Sequence, residues 1–261
     1  MKITRLGHAM YLFTSNEGGH YLIDPFFDMN PAFPQQLDNE SFYRSIDCVF
    51  LTHGHFDHTS GLPKLMEYNP DLKVIAQYEL ALILMQHGMK NVLPINTGGS
   101  VSFQDVIVTM VQAKHTSSYM ETKGTPIYAG EAAGYIFDFN SDYTLYHSGD
   151  TALMSDMKLI QEVYQPEIAI LSSSGHFTMG PKEAAYAVQH LLNVQYVIPS
   201  HTFPTNQTST SPETLKQLVD SFPVIENMMD KDKDLENLLK DYQPTKVVTL
   251  GYGEEKTFRK C

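Results

Sequence analysis

The sequence predicts an α+β protein built as a four-layer αββα sandwich. Short apolar runs typical of strands dominate the first half of the chain, whereas helices alternate with strands from Asp156 onward. Two strand-rich halves can bury their apolar faces by packing sheet against sheet, with helices on the outer faces. At 261 residues and 42% apolar content, the chain is expected to form a single domain, residues 1–261, around a large core.

The elements of the first half follow from apolar runs bounded by turn residues. Strands are predicted over residues 3–6, 10–14, 20–23, 48–52 and 74–76, with hairpins over 101–113 and over 133–139 with 143–147. Helices are predicted over residues 62–68, entered by Pro63, and 79–87, closed by Gly88. Residues 27–45 are rich in proline and asparagine and are predicted to form a loop beside the functional site.

In the second half, helical spacing of apolar residues alternates with short β-branched runs. Helices are predicted over residues 158–164, 181–192, 212–222 and 235–239, and strands over 168–171, 196–198 and 247–250. Ser211 is the expected N-cap of the third of these helices. No internal repeat or low-complexity linker divides the chain.

Charge and composition exclude several classes of partner. The net charge is −12, and lysine and arginine are scattered singly, so we expect neither nucleic acid nor an anionic membrane surface as a partner. No apolar run is long enough to cross a membrane, and the first residues lack a signal peptide's apolar stretch. Two distant cysteines, Cys48 and Cys261, fit a reducing compartment. We therefore expect a cytoplasmic protein with a small-molecule substrate. The sequence does not decide between a monomer and a homo-oligomer.

The segment His53-Gly54-His55-Phe56-Asp57-His58 is the strongest chemical signal in the chain. It places three imidazoles and a carboxylate in six positions, directly after a predicted buried strand. This mixture of ligand types suits zinc, manganese or iron. If residues 53–55 are extended, His53 and His55 project to the same side. The pattern therefore predicts a metal site.

Three further candidate ligands follow other predicted strands. They are His115, Asp150 and His201, and each lies just past a strand end, where loops gather at one edge of a sheet. A structural zinc needs four ligands and usually thiolates, which this chain cannot supply. Seven histidine and aspartate ligands instead predict a catalytic site with two metal ions.

These motifs resemble those of the metallo-β-lactamase superfamily, nearly from end to end. The resemblance rests on residues 2–8, 23–26, 52–58, 146–151 and 177–181. The last segment, with residues 128–134, looks like the metal-dependent hydrolase branch, which is similar to the ascorbate-6-phosphate lactonase group. That branch usually carries Asn where this chain has His176, and a Met-His pair where it has Ser200-His201.

The resemblance implies a metallo-β-lactamase fold and a role for each ligand. His53, His55 and His115 would hold one metal, whereas Asp57, His58 and His201 would hold the other. Asp150 would bridge the two ions. We expect zinc, with manganese or iron as alternatives, because ligand type alone does not settle the metal.

Three residues are expected to act around the metals. Asp24 closes a predicted strand before Pro25. The resemblance implies that Asp24 orients ligand histidines, although a turn-forming role is the alternative. His8 lies in a turn that flanks the site in this superfamily and is either a substrate contact or a plain turn residue. His176 follows a predicted strand in a loop of small residues and either binds substrate or faces solvent.

The predicted function is metal-dependent hydrolysis of an ester, lactone or phosphoester in a small anionic substrate. A hydroxide held between two metals would attack the carbonyl or phosphoryl centre, with Asp57 and Asp150 as the carboxylates of the catalytic site. The alternatives are a nuclease or phosphodiesterase and a di-iron redox enzyme. The chain lacks the basic patch that a nuclease would need. It also has no room for the flavin domain that accompanies di-iron redox members of the superfamily.

Seven ligands predict close to two metal ions per chain at saturating zinc or manganese. Elemental analysis of protein purified without a metal-affinity tag measures this ratio. A single equivalent, with Asp57 and His201 unligated in a structure of that protein, would contradict the dinuclear prediction.

Overall fold

Two seven-stranded sheets form the centre of the protein in the computed structural model, which describes residues 1–121, 124–140 and 142–260. The first sheet contains β1 (Lys2–Gly7), β2 (Met10–Thr14), β3 (His20–Ile23), β4 (Cys48–Phe50), β5 (Lys73–Gln77), β6 (Val92–Ile95) and β16 (Glu255–Thr257). The second contains β7 (Ser100–Phe103), β8 (Val106–Gln112), β11 (Ala133–Phe139), β12 (Thr144–His147), β13 (Ile168–Ser172), β14 (Tyr196–Ser200) and β15 (Lys246–Val247). A separate hairpin pairs β9 (Ser118–Met120) with β10 (Pro126–Tyr128).

Helices cover the outer faces of both sheets. They are α1 (Glu40–Ser45), α2 (Phe56–Thr59), α3 (Leu62–Tyr68), α4 (Tyr78–Gln86), α5 (Asp156–Tyr164), α6 (Pro181–His190), α7 (Pro212–Ser221) and α8 (Lys231–Leu239). One apolar cluster joins the first sheet to α1, α3 and α4, and another joins the second sheet to α5, α6 and α8. The layers therefore follow the predicted αββα order. Among the described residues no helix has the length and apolarity to span a membrane.

The two sheets face each other because side chains alternate along each strand. In β13, Ile168 and Ile170 point into the cluster between the sheets, whereas Ala169 and Leu171 pack against the helices. Phe137 lies at the centre of the inner cluster. Its ring centroid is 5.0 Å from those of both Phe13 and Phe50, so it joins β11 to two strands of the opposite sheet.

Strand direction determines where the functional loops meet. In the first sheet β1 runs parallel to β3 and β4, because β2 lies antiparallel between β1 and β3. In the second sheet β8 runs parallel to β12, β13 and β14, because β11 lies antiparallel between β8 and β12. The loops that follow these strands carry every residue predicted for the site.

Most predicted elements are confirmed, two predicted spans are corrected, and the short elements α2, β6, β9, β10 and β16 were not predicted. The predicted loop over residues 27–45 contains a 3-10 turn at Gln35–Leu37 and helix α1. The Asn39 side chain accepts a hydrogen bond from the Phe42 backbone, so asparagine serves here as an N-cap. The strand predicted over residues 247–250 is shorter, since only Lys246–Val247 pair with β14. The final strand is β16, which was not predicted and lies beside β1.

We expect Phe137→Ala to lower the free energy of unfolding by about 3–5 kcal/mol, because it leaves a cavity between the sheets. Urea unfolding at fixed metal concentration measures the change. Ile107→Ala is the matched control, since Ile107 is exposed on the neighbouring strand β8 and should cost about 1 kcal/mol or less. Equal losses in both variants would contradict the central role of Phe137.

Candidate functional site

The structure brings all seven predicted ligands together at one edge of the sandwich. His53 follows β4, and His55 is the N-cap residue of α2, whose first turn carries Asp57 and His58. The other three follow β8, β12 and β14 of the second sheet: His115, Asp150 and His201. The potential ligand atoms form three groups, and within each group all of them lie within 4.8 Å of one another. The groups are His53, His55 and His115; His53, His58 and Asp150; and His8, Asp57, His58 and His201.

The buried carboxylate of Asp24 fixes two of these histidines. It accepts hydrogen bonds from the Thr52 backbone (2.8 Å), the Thr52 hydroxyl (2.7 Å) and His58 Nδ1 (2.8 Å). Because the Thr52 hydroxyl donates to Asp24, it accepts from His53 Nδ1 at 3.0 Å. Both imidazoles therefore donate from Nδ1 and direct Nε2 toward the cluster.

His201 is oriented in the same way from the second sheet. The Ser174 hydroxyl donates to the Gly175 carbonyl, so it accepts from His201 Nδ1 at 3.0 Å. The Nε2 atom of His201 then faces Asp150 Oδ2 at 2.8 Å. The imidazoles of His53, His58 and His201, which come from both sheets, thus direct their Nε2 atoms to one point.

Asp150 lies at that point. Its Oδ2 atom is 4.0 Å from His53 Nε2, 3.5 Å from His58 Nε2, 3.7 Å from His115 Nε2 and 2.8 Å from His201 Nε2. His58 Nε2 is fully buried and has no hydrogen-bond partner among the described residues. Imidazole nitrogens around carboxylate oxygens form a donor set that fits divalent cations.

Burial lowers the pKa of His53, His55 and His115. These three imidazoles are therefore neutral at pH 7, which is the state that binds a metal.

The remaining proposed ligands pair the imidazoles of His58 and His201 with the carboxylates of Asp57 and Asp150. Burial opposes protonation of His58 and His201, but the negative charge of Asp150 and other nearby carboxylates favours it more strongly. The pKa of His58 lies well above its usual value, and that of His201 rises to about 9. Burial would raise the pKa of Asp57 and Asp150, yet the adjacent histidines hold both well below the usual range. Two ionised carboxylates therefore need positive charge here, which protons or metal ions can supply.

His8 is placed beside Asp57 and does not line the cleft. It is fully buried, its Nε2 lies 3.1 Å from Asp57 Oδ2, and its ring stacks on Phe203 at 4.2 Å. Burial lowers its pKa to about 4, so the neutral ring donates its Nε2 proton to Asp57. His8 therefore contacts a proposed metal ligand and lies outside the cleft lining.

His176 lies on the surface, with its ring against Phe177 at 4.5 Å. Phe177 lines the cleft, whereas His176 does not. In the loop expected to contact substrate, Ser174 is the residue that contacts a proposed metal ligand, His201. This contact could not be predicted from the sequence, because one hydroxyl in a run of three serines forms no recognisable pattern.

Unusual backbone conformations concentrate at the site. His8, Asp24, His176 and His201 have φ between 48° and 60°, a region that L-residues rarely adopt. Gly149 shares this conformation (φ 58°), and a Cβ there would lie 2.3 Å from the Ala133 carbonyl oxygen. Only glycine fits that approach, so it sets the turn that delivers Asp150.

A cleft of about 370 Å³ opens from the cluster to solvent. His55, Asp57, His115, Asp150 and His201 form its inner end. The rest of its wall is mainly apolar, and much of that wall comes from α7 and the 3-10 helix Pro223–Met228. Helix α7 was predicted from the sequence but its position was not, because no local pattern indicates which surface a helix covers.

The chain is similar to a known protein family and to several of its members. Residues 20–202 match the family model described as a beta-lactamase superfamily domain. A UPF0173 metal-dependent hydrolase of Koribacter versatilis is 40% identical over 222 residues, which cover 84% of this chain and 92% of that protein. Another, from Anoxybacillus flavithermus, is 42% identical over 209 residues, covering 79% and 89% respectively.

One solved structure has a similar fold along its whole length. Igni18, described as a novel metallo hydrolase of the archaeon Ignicoccus hospitalis, has a TM-score of 0.78 and 24% sequence identity. The comparison covers 100% of this chain and 99% of that one. It supports the αββα architecture described above.

We expect Asp24→Asn to weaken metal binding by about 10–100-fold, because an amide cannot accept all three hydrogen bonds that hold Thr52 and His58. Competition with a chromophoric chelator measures the affinity. Asp105→Asn is the control: Asp105 is also buried and bonds Tyr21, outside the cluster. If both variants bind metal as the wild type does, Asp24 does not orient the ligands.

Proposed function

The chain is a metal-dependent hydrolase of the metallo-β-lactamase superfamily, and on that premise we propose that two divalent ions in the histidine cluster serve its reaction. The reaction is hydrolysis of an ester, lactone or phosphoester. His53, His55 and His115 hold one ion, Asp57, His58 and His201 hold the other, and Asp150 is shared. Zinc is favoured, with manganese and iron as alternatives.

The position of Asp150 carries this proposal. One oxygen atom of its carboxylate lies within 4.0 Å of four histidines, which come from both proposed ligand groups and from both sheets. A single ion needs about four protein ligands, so seven convergent ligands with a central carboxylate support two ions. The ionised state of Asp57 and Asp150 supports the same count, because each carboxylate offsets part of the cationic charge.

Divalent ions bound here would supply Lewis acidity and bring the pKa of a bound water close to neutrality. The chain itself needs no serine or cysteine nucleophile. Among the described residues that line the cleft, the hydroxyls are those of Thr116 and Ser118, which can donate hydrogen bonds to a substrate oxygen. The remainder of the cleft wall is mainly apolar.

A small anionic substrate is less well supported than the reaction type. No lysine or arginine occurs among the described residues that line the cleft. A phosphoryl or carboxyl group could be neutralised only at the cluster itself. The same composition argues against a nucleic-acid strand, whose successive phosphates need basic partners.

We expect Asp150→Ala to lower metal-dependent hydrolysis at least about a hundredfold, the upper end of losses seen when a residue only supports a ligand. The assay uses p-nitrophenyl esters, lactones and bis(p-nitrophenyl) phosphate, with chelator-treated enzyme as the blank. Circular dichroism should show a retained fold, since Asp150 is no core contact.

Asp156→Ala is the matched control, because Asp156 is an exposed carboxylate in the first turn of α5. It should keep wild-type turnover. If Asp150→Ala retains near-normal turnover and full metal content, the shared-ligand assignment is wrong.

A further inference from the structure

The outer part of the cleft has the character of a site for an apolar group. Leu218, Phe222, Ile225 and Met228 line one side, and Phe56 and Phe177 lie among the residues that complete it. These side chains line the same cleft as the proposed ligands. A substrate with its reacting centre at the cluster must therefore place the rest of its structure against hydrocarbon.

Charge complementarity for a second anionic group is missing from this part of the cleft. The charged groups among its described lining residues are the proposed ligands, and its other polar side chains are two hydroxyls. An additional carboxylate or phosphate would lose hydration without gaining a partner, which costs several kcal/mol. The lining therefore selects against charge away from the reacting centre.

Residues 212–228, here called the cap segment, form one wall of the cleft. Its residues Leu218, Ile225 and Met228 pack with Phe203 in a small cluster apart from the three larger ones. Phe222 stacks on Phe56, with ring centroids 5.9 Å apart and planes at 18°. These two rings remain 43% and 37% exposed at the mouth of the cleft, as apolar surface kept open for a ligand would be.

We propose that the substrate is uncharged outside its reacting group and carries an aryl or medium-length alkyl group. This group lies against Phe56 and Phe222, and Phe222 sets the preference for it. The inference rests on the proposed function, because the ester, lactone or phosphoester must lie at the metal cluster. A volume of about 370 Å³ is enough for the reacting group and one ring or a short chain.

The kinetic test uses zinc-loaded enzyme and p-nitrophenyl acetate, butyrate and hexanoate. Burial of each methylene contributes up to about 0.8 kcal/mol, so kcat/KM should rise by up to about fourfold per methylene. Mono-p-nitrophenyl adipate has the same acyl length as the hexanoate but ends in a carboxylate. It should be hydrolysed at least about tenfold more slowly.

Phe222→Ala should raise KM for the hexanoate about tenfold and change the acetate less than about twofold. Phe222→Lys should reverse the preference between hexanoate and adipate, because it adds a cation at the cleft mouth. Tyr186→Ala is the control: Tyr186 is an aromatic residue on α6, 50% exposed and absent from the cleft. It should behave as the wild type.

A binding measurement separates this inference from the proposed function. Calorimetric titration of the zinc-loaded protein with hexanamide and acetamide should show tighter binding of hexanamide with a negative heat-capacity change. Binding without hydrolysis of any ester, lactone or phosphoester would overturn the proposed reaction and keep the apolar site. Hydrolysis without dependence on chain length, or faster turnover of the adipate, would overturn the apolar site alone.

Other occupants of the apolar surface would also be seen. Sedimentation of the wild type as a dimer that Phe222→Ala dissociates, with no response to chain length, would assign this surface to a second copy of the chain. That result would overturn the proposal.

Discussion

Burial of carboxylates among histidines is the constraint on which the site depends. An isolated ionised carboxylate inside a protein costs several kcal/mol, so Asp24 and Asp150 require compensation from every direction. Asp24 obtains it from three hydrogen-bond donors, and this arrangement fixes the tautomers of His53 and His58. Asp150 obtains it from imidazoles of both sheets, whose Nε2 atoms lie within 4.0 Å of its Oδ2 atom.

The same edge concentrates backbone strain. His8, Asp24 and His201 adopt left-handed conformations that cost of order 1–3 kcal/mol each. A buried polar network holds the His201 loop: Arg5 donates to the Thr202 hydroxyl at 2.7 Å and pairs with Asp232 of α8. Helix α8 therefore contributes to the site without touching it, because its carboxylate anchors the residue that follows a proposed ligand.

The convergence of the proposed ligands was easier to predict from the sequence than their surroundings, for a physical reason. The segment over residues 53–58 is a local pattern, and its neighbours on the sheet edge follow from strand ends. Helix α1 was missed because asparagine and proline occur in caps as readily as in loops. Strand β16 was missed because an exposed edge strand with charged residues lacks an apolar alternation. Ser174 and the cap segment act through tertiary contacts, which single-sequence patterns do not encode.

The cap segment lies outside the stretch of chain that holds the seven proposed ligands, residues 53–201, and beyond the family match, which ends at residue 202. Its small cluster shares no member with the cores between and around the sheets. If the cap segment sets substrate preference as proposed, most of that determinant follows the ligands in the gene, although Phe56 and Phe177 contribute from the earlier part. An exchange confined to residues 212–228 would then change much of the apolar wall and leave the seven proposed ligands in place.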